Sequence, residues 1–341
     1  RNDNMPCVVY GGDHLYYACW NPTVNAWQSE VVDGDPLVGA YASLAFNSTS
    51  KPFISYYDAA NGDLKLAYNL SGVWQKAIVE TNPVMLGAQE SVEDDASTTS
   101  PDLQEFYATL KRIPWTNPFE LYGEFKDVAE IVYDGGGVGL HTSIAVDQLG
   151  RVHISYYDDD NRSLKYAFND GTTWKIEVVD DYLDQGRVGL WSSIAVDSNG
   201  IPQIAYMSEK YDDLKFAWRK GWVNPVDPDD PANKPWDKWT VDSASNVGSF
   251  ASLAVDDNGL PLISYMDFAN YNLKFARMDV SRDWHVANVD TTGSVGWYSS
   301  IARDADGKVH VSYYNMTDGN LKYAKLSGTT WSISTIYSQG D

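Results

Sequence analysis

The chain repeats itself, and a period of about fifty residues restricts the folds open to it more than any other feature does. Five segments, SYYDAANGDLKLAY, SYYDDDNRSLKYAF, AYMSEKYDDLKFAW, SYMDFANYNLKFAR and SYYNMTDGNLKYAK, align with one another, and a weaker copy begins at Val8. Upstream of each clear copy stands a short apolar motif headed by Ser43, Ser143, Ser193, Ser252 or Ser300. Downstream of all six comes a tryptophan: Trp27, Trp74, Trp174, Trp236, Trp284 or Trp331. Six residues after each of these lies Asp33, Glu80, Asp180, Asp242, Asp290 or, in the last copy, Tyr337. Units of this size build solenoids or propellers, because one unit cannot bury its apolar faces alone.

Within a unit the segments are short, rich in Ile, Val, Tyr and Trp, alternating in polarity and separated by Gly, Asn and Asp. That pattern predicts four strands, A to D, per unit. Four-stranded antiparallel sheets set around an axis form a β-propeller, so the expected fold is all-β. The whole chain, 1–341, is read as a single domain. The tryptophan of strand D is expected to pack between blades, and the strand C lysines Lys65, Lys165, Lys215, Lys274 and Lys322 to lie in surface ion pairs or along a solvated edge. Six tryptophan units give six blades. Ser43 and Ser143 are a double repeat apart, so a degenerate seventh blade between them is the alternative. Residues 81–134 are read as an insertion with a helical segment, since Leu103, Phe106, Tyr107, Leu110 and Ile113 have helical spacing.

The first unit starts at strand B, which leaves its blade without an innermost strand. Residues 1–6 are polar and contain Pro6, a poor filler. A strand from another protein chain, or from sequence outside these residues, is therefore expected to complete the first blade by β-strand addition. Cys7 and Cys19, the two cysteines of the chain, fall at the positions of Ile154 and Phe168 in the self-alignment. They are expected to face each other across a hairpin as a disulfide, which points to an oxidising compartment, extracellular or at the cell surface.

The net charge of −22 repels phosphates and anionic lipid, which excludes nucleic acid as a partner class. No apolar run reaches the length of a membrane span. The segments entering strand A carry a ring in every clear unit: Tyr41, His141, Trp191, Phe250 and Tyr298. The neighbouring B to C loops begin with Asp58, Asp158, Ser208, Asp267 and Asn315. Rings beside acids suit an amphipathic ligand such as a glycan, which offers an apolar face and hydroxyls. The competing reading has the rings plugging the space between blades and the aspartates closing turns. No cofactor motif is present; the DADG turn at Asp304 faintly resembles a calcium loop but reads more simply as a hairpin turn.

The unit HISYYD…LKYA…W…VVD…VG…SIAVD resembles repeats found in tandem in extracellular proteins of bacteria, propellers that sit near the sialidase-like superfamily. The resemblance covers most of the chain and implies architecture rather than activity. The arginine cluster that sialidase activity would imply is not apparent. The expected function is thus non-catalytic ligand binding or assembly at the cell surface. The alternatives are a carbohydrate-active hydrolase or lyase with its site at the tunnel mouth, and a purely structural subunit.

Overall fold

In the computed structural model the described residues are 5–11, 13–82, 136–181, 186–209, 211–220, 235–244 and 246–338. They form six antiparallel sheets arranged as a β-propeller. Blade 1 has three strands, β1 (Cys7–Gly11), β2 (Leu15–Asn21) and β3 (Ala26–Asp33). Blade 2 comprises β4 (Val38–Phe46), β5 (Pro52–Asp58), β6 (Asp63–Tyr68) and β7 (Gln75–Glu80). Blade 3 comprises β8 (Val138–Val146), β9 (Val152–Asp158), β10 (Ser163–Asn169) and β11 (Trp174–Asp180). Blade 4 comprises β12 (Val188–Val196), β13 (Pro202–Ser208), β14 (Asp213–Arg219) and β15 (Trp236–Asp242). Blade 5 comprises β16 (Val247–Val255), β17 (Pro261–Asp267), β18 (Asn272–Met278) and β19 (Trp284–Asp290). Blade 6 comprises β20 (Val295–Arg303), β21 (Val309–Asn315), β22 (Asn320–Ser327) and β23 (Thr330–Tyr337). The expected helical segment at 81–134 lies, apart from its first two residues, outside the described residues.

Blade 1 begins at strand B, as its sequence predicts, and the described residues place no strand on the inner side of β1. The disulfide between Cys7 and Cys19 is present, but the register differs by one residue from the self-alignment. Cys7 pairs with Cys19, whereas in blade 3 it is His153 that pairs with Phe168, and Ile154 pairs with Ala167. The hairpin of blade 1 is shorter, so aligning on the tyrosines misplaces β1 by one position. In the corrected register Tyr10 and Tyr16 occupy the places of Tyr156 and Lys165.

The cores lie between blades. Leu164, Tyr166, Phe168 and Val179 of blade 3 pack on Val188, Ile194, Ile204 and Tyr206 of blade 4, and equivalent clusters join blades 1 to 2, 2 to 3, 4 to 5 and 5 to 6. The strand D tryptophans belong to these clusters. Trp74, Trp236, Trp284 and Trp331 set their edges against Tyr17, Tyr166, Phe216 and Phe275 of the preceding blade, and Trp174 packs on the cluster between blades 2 and 3. Trp27 departs from the expectation: it is 48% exposed and sets its edge against Trp20 of its own blade.

The strand C lysines form the expected ion pairs, but not at the surface. The strand C lysines are drawn into the blade junctions, with Lys65 and Lys274 buried. Each pairs with the acid six residues after a tryptophan of the preceding blade: Lys65 with Asp33, Lys165 with Glu80, Lys215 with Asp180, Lys274 with Asp242 and Lys322 with Asp290. A strand B tyrosine donates to the same carboxylate in each case, from Tyr56, Tyr156, Tyr206, Tyr265 or Tyr313. Five junctions carry five such latches. At the remaining boundary the three positions are Tyr337, Tyr10 and Tyr16, none of which supplies a charge.

Candidate functional site

The five rings singled out in the sequence come together. Each lies inside an innermost strand rather than in the loop before it, since the strands begin at Val38, Val138, Val188, Val247 and Val295. Each strand is bulged there: the register of β12 against β13 shifts between Val188 and Leu190 and again between Leu190 and Ser193, and the other four repeat this. A bulge re-aims the side chain at its centre. Its backbone signature is uniform, with φ of 55° at Tyr41, 51° at His141, 53° at Trp191, 53° at Phe250 and 52° at Tyr298. Bulky residues seldom adopt this left-handed region, and it costs of order 1–3 kcal/mol at each.

Successive rings touch around the axis. Centroids are 4.7 Å apart for Tyr41 and His141, 4.6 Å for His141 and Trp191, 4.3 Å for Trp191 and Phe250, and 4.6 Å for Phe250 and Tyr298. Interplanar angles of 50° to 58° make the contacts tilted, the geometry that ring quadrupoles favour over a face-to-face sandwich. Together with the residue after each ring, Ala42, Thr142, Ser192, Ala251 and Ser299, they line an open cavity of about 250 Å³. Burial pushes the His141 imidazole down to about 3, helped by the charge of Arg187, so the ring is neutral at physiological pH.

The hydroxyls behind the rings brace the arc. Ser192 donates to the His141 carbonyl at 2.8 Å and Ser299 to that of Phe250 at 2.9 Å. One residue further on, the serines that head the sequence motifs form a ladder across blades. Ser43, Ser143, Ser193 and Ser252 accept from the amides of Ile144, Ile194, Leu253 and Ile301 at 3.0–3.2 Å.

Asp58, Asp158 and Asp267 stand elsewhere. All three are buried and lie outside the cavity lining. Asp58 accepts the amides of Ala60 and Asn61, Asp158 that of Asn161, and Asp267 that of Asn270. Asp58 and Asp158 also meet Lys65 and Lys165. These are turn-closing contacts. Ser208 and Asn315, at the same place in their blades, are buried as well. At Asp304 the carboxylate accepts the amides of Asp306 and Lys308, which closes a hairpin turn, and among the described residues no group of three or more acidic, His or Cys side chains is placed to hold a metal ion.

No family model matches the chain, and no curated protein matches it in sequence. Solved structures share its fold at low identity. A protein from Lactobacillus plantarum aligns over 98% of this chain and 82% of its own, with 9% identity and a TM-score of 0.53. A variant of Aleuria aurantia lectin in complex with alpha-methyl-L-fucoside aligns over 87% and 79%, with 11% identity and a TM-score of 0.50. The polysaccharide lyase Uly1 aligns over 98% and 79%, with 9% identity and a TM-score of 0.50. These likenesses establish the propeller architecture. A lectin and a lyase on one scaffold leave the choice of function to the site.

Proposed function

We propose that this protein is a non-catalytic, extracellular carbohydrate-binding propeller whose aromatic arc is the recognition surface. The observation that carries the reading is the row of five ring residues held at positive φ. Packing alone gives no reason to place a bulky residue in a left-handed backbone five times, and strain repeated at a cavity is a mark of binding sites. The apolar faces of the rings suit the C–H face of a sugar, and the phenol groups of Tyr41 and Tyr298 suit its hydroxyls. The disulfide agrees with an oxidising, extracellular setting.

A hydrolase fits the cavity less well. Glycosidases generally need a pair of carboxyl groups about the scissile bond, and among the described residues the lining contains none. Titration with a panel of neutral oligosaccharides, followed by tryptophan fluorescence, tests the reading. Trp191→Ala should weaken binding at least tenfold while leaving the melting temperature nearly unchanged, and no reducing ends should be released from any bound sugar. Loss of about 3 kcal/mol of stability with no bound sugar in either protein would assign the rings to packing instead.

A further inference from the structure

In blades 2 to 6 the innermost strand joins each blade to the one before it. Its second residue is always glycine, and a Cβ on Gly39, Gly139, Gly189, Gly248 or Gly296 would come 2.8–3.1 Å from the Cα of Leu15, Leu64, Leu164, Leu214 or Leu273 of the preceding blade. All five leucines are fully buried by this approach. Leu321, the sixth in the series, is 39% exposed. The serine ladder ends at Ser300, which is exposed, and the aromatic arc ends at Tyr298, which is 64% exposed. On the other side of the boundary β1 forms the edge of a three-stranded sheet, with Val8 and Tyr10 nearly half exposed. One element missing from the described residues accounts for all of these ends: an inner strand running beside β1 and against blade 6.

We propose that an extended segment of a partner polypeptide docks in this position as the sixth inner strand. It would pair antiparallel with β1 along Val8 to Gly11 and lay its backbone against Leu321. An edge strand with unpaired backbone groups is a template for this mode of recognition, in which main-chain bonds give affinity and alternate side chains give specificity. The chain itself specifies the partner's chemistry, because it contains the strand five times: Val-Gly-x-ring-x-Ser-Ile/Leu-Ala. The valine fills a site at which Val38, Val138, Val188, Val247 and Val295 are all buried. Glycine is required where any Cβ would meet the leucine backbone. The ring extends the arc past Tyr298, and the amide of Ile or Leu donates to Ser300 as that of Ile301 does to Ser252. This docking site stands whether or not the arc binds sugar.

The test adds a blocked nine-residue peptide with the sequence of Val188–Val196, VGLWSSIAV, to the full 341-residue protein. Native mass spectrometry should show one peptide per protein. Hydrogen exchange should slow at the amides of Val9 and Gly11, which alternate with the residues bonded to β2 and so face the open edge, and the melting temperature should rise. The same peptide carrying Gly189→Ala should bind at least tenfold more weakly. Equal binding of both peptides, or no slowing at β1 under saturation, would overturn the proposal. So would full protection of β1 without peptide, which would mean that the chain completes its own ring, or formation of dimers in place of the peptide complex.

Discussion

Tyr313 donates to Asp290 at 2.7 Å across the junction of blades 5 and 6, and this bond recurs, with a lysine beside it, at every other blade junction described. Burial alone would raise the Asp290 carboxyl; Lys322 and Tyr313 hold it below the usual carboxylate range instead. Asp33, Asp180 and Asp242 are lowered in the same way against the same opposing burial. The latch therefore places a charged acid among apolar clusters without leaving it unpaired, and it ties each blade to the next.

Removing one member of a latch should cost more than the bond itself. Asp180 is buried and takes Tyr206, Lys215 and Lys238 together. Asp180→Ala strands two ammonium groups at the junction of blades 3 and 4, and a loss of about 3–5 kcal/mol is expected. Tyr206→Phe leaves the ion pairs in place and should cost about 1 kcal/mol. Urea unfolding of the two variants distinguishes them. Similar losses for both would mean that the carboxylate is not the centre of the latch.

The strained arc gives a separate expectation at Tyr298, whose side chain is mostly exposed. Truncation there removes little packing, so the backbone term stands out. Tyr298→Gly should be more stable than Tyr298→Ala by about 1 kcal/mol, because glycine occupies positive φ without penalty. The reverse order, read from melting temperatures, would show that the left-handed conformation is not strained in this protein.

Much of this was legible in the sequence, and the misses have physical causes. Period, strand count, a first unit that opens at strand B, the disulfide and the five rings all follow from side-chain pattern. The strand C lysines form the expected ion pairs, but in blade junctions rather than at the surface, because pattern shows which face a residue takes and not whether another blade covers that face. The acids after each tryptophan were visible as a repeat, with Tyr337 as the exception, yet their role required knowing that a strand D end meets the strand B tyrosine of the next blade. Asp58, Asp158 and Asp267 looked like site residues because a turn-closing aspartate and a ligand-binding one have the same sequence signature. The bulge that turns the rings inward left one trace, the glycine two positions before each ring.

Acidification should weaken the fold in two stages. His141 and His153 are pushed down to about 3 and about 4, chiefly by burial; Arg187 adds to the effect at His141, while Asp147 opposes it at His153, where Arg151 and Arg219 act in the same direction as burial. An unfolded histidine titrates near 6.5. Between that value and about 4 the unfolded chain binds more protons than the folded one, so stability is full above pH 6.5 and declines as pH falls. Below about pH 4 the latch aspartates add a second loss, partly offset near that pH by Asp63, Asp160 and Asp213, whose carboxyls burial raises. His141→Phe should reduce the first stage to the share of His153, since Phe250 shows that the arc accepts this ring. Urea midpoints measured from pH 7 to pH 5 provide the test, and a midpoint that rises on acidification would contradict the assignment.

The junction glycines should be the least replaceable residues of the inner strands. Gly150 and Gly189 both have positive φ, 79° and 108°. A Cβ on Gly150 meets nothing within 4 Å, whereas one on Gly189 lies 2.8 Å from the Cα of Leu164 in the blade before it. Gly150→Ala therefore carries only the backbone penalty of a left-handed residue, about 1–2 kcal/mol. Gly189→Ala carries that penalty and must also push two blades apart against their shared core, so about 3 kcal/mol or more is expected. Because the strain falls on the junction, hydrogen exchange in Gly189→Ala should quicken at Leu164 and Ile194 before it does so within the hairpin of β13 and β14. Uniform quickening over blade 4, or equal losses for the two variants, would show that close approach to the leucine is not what requires glycine there.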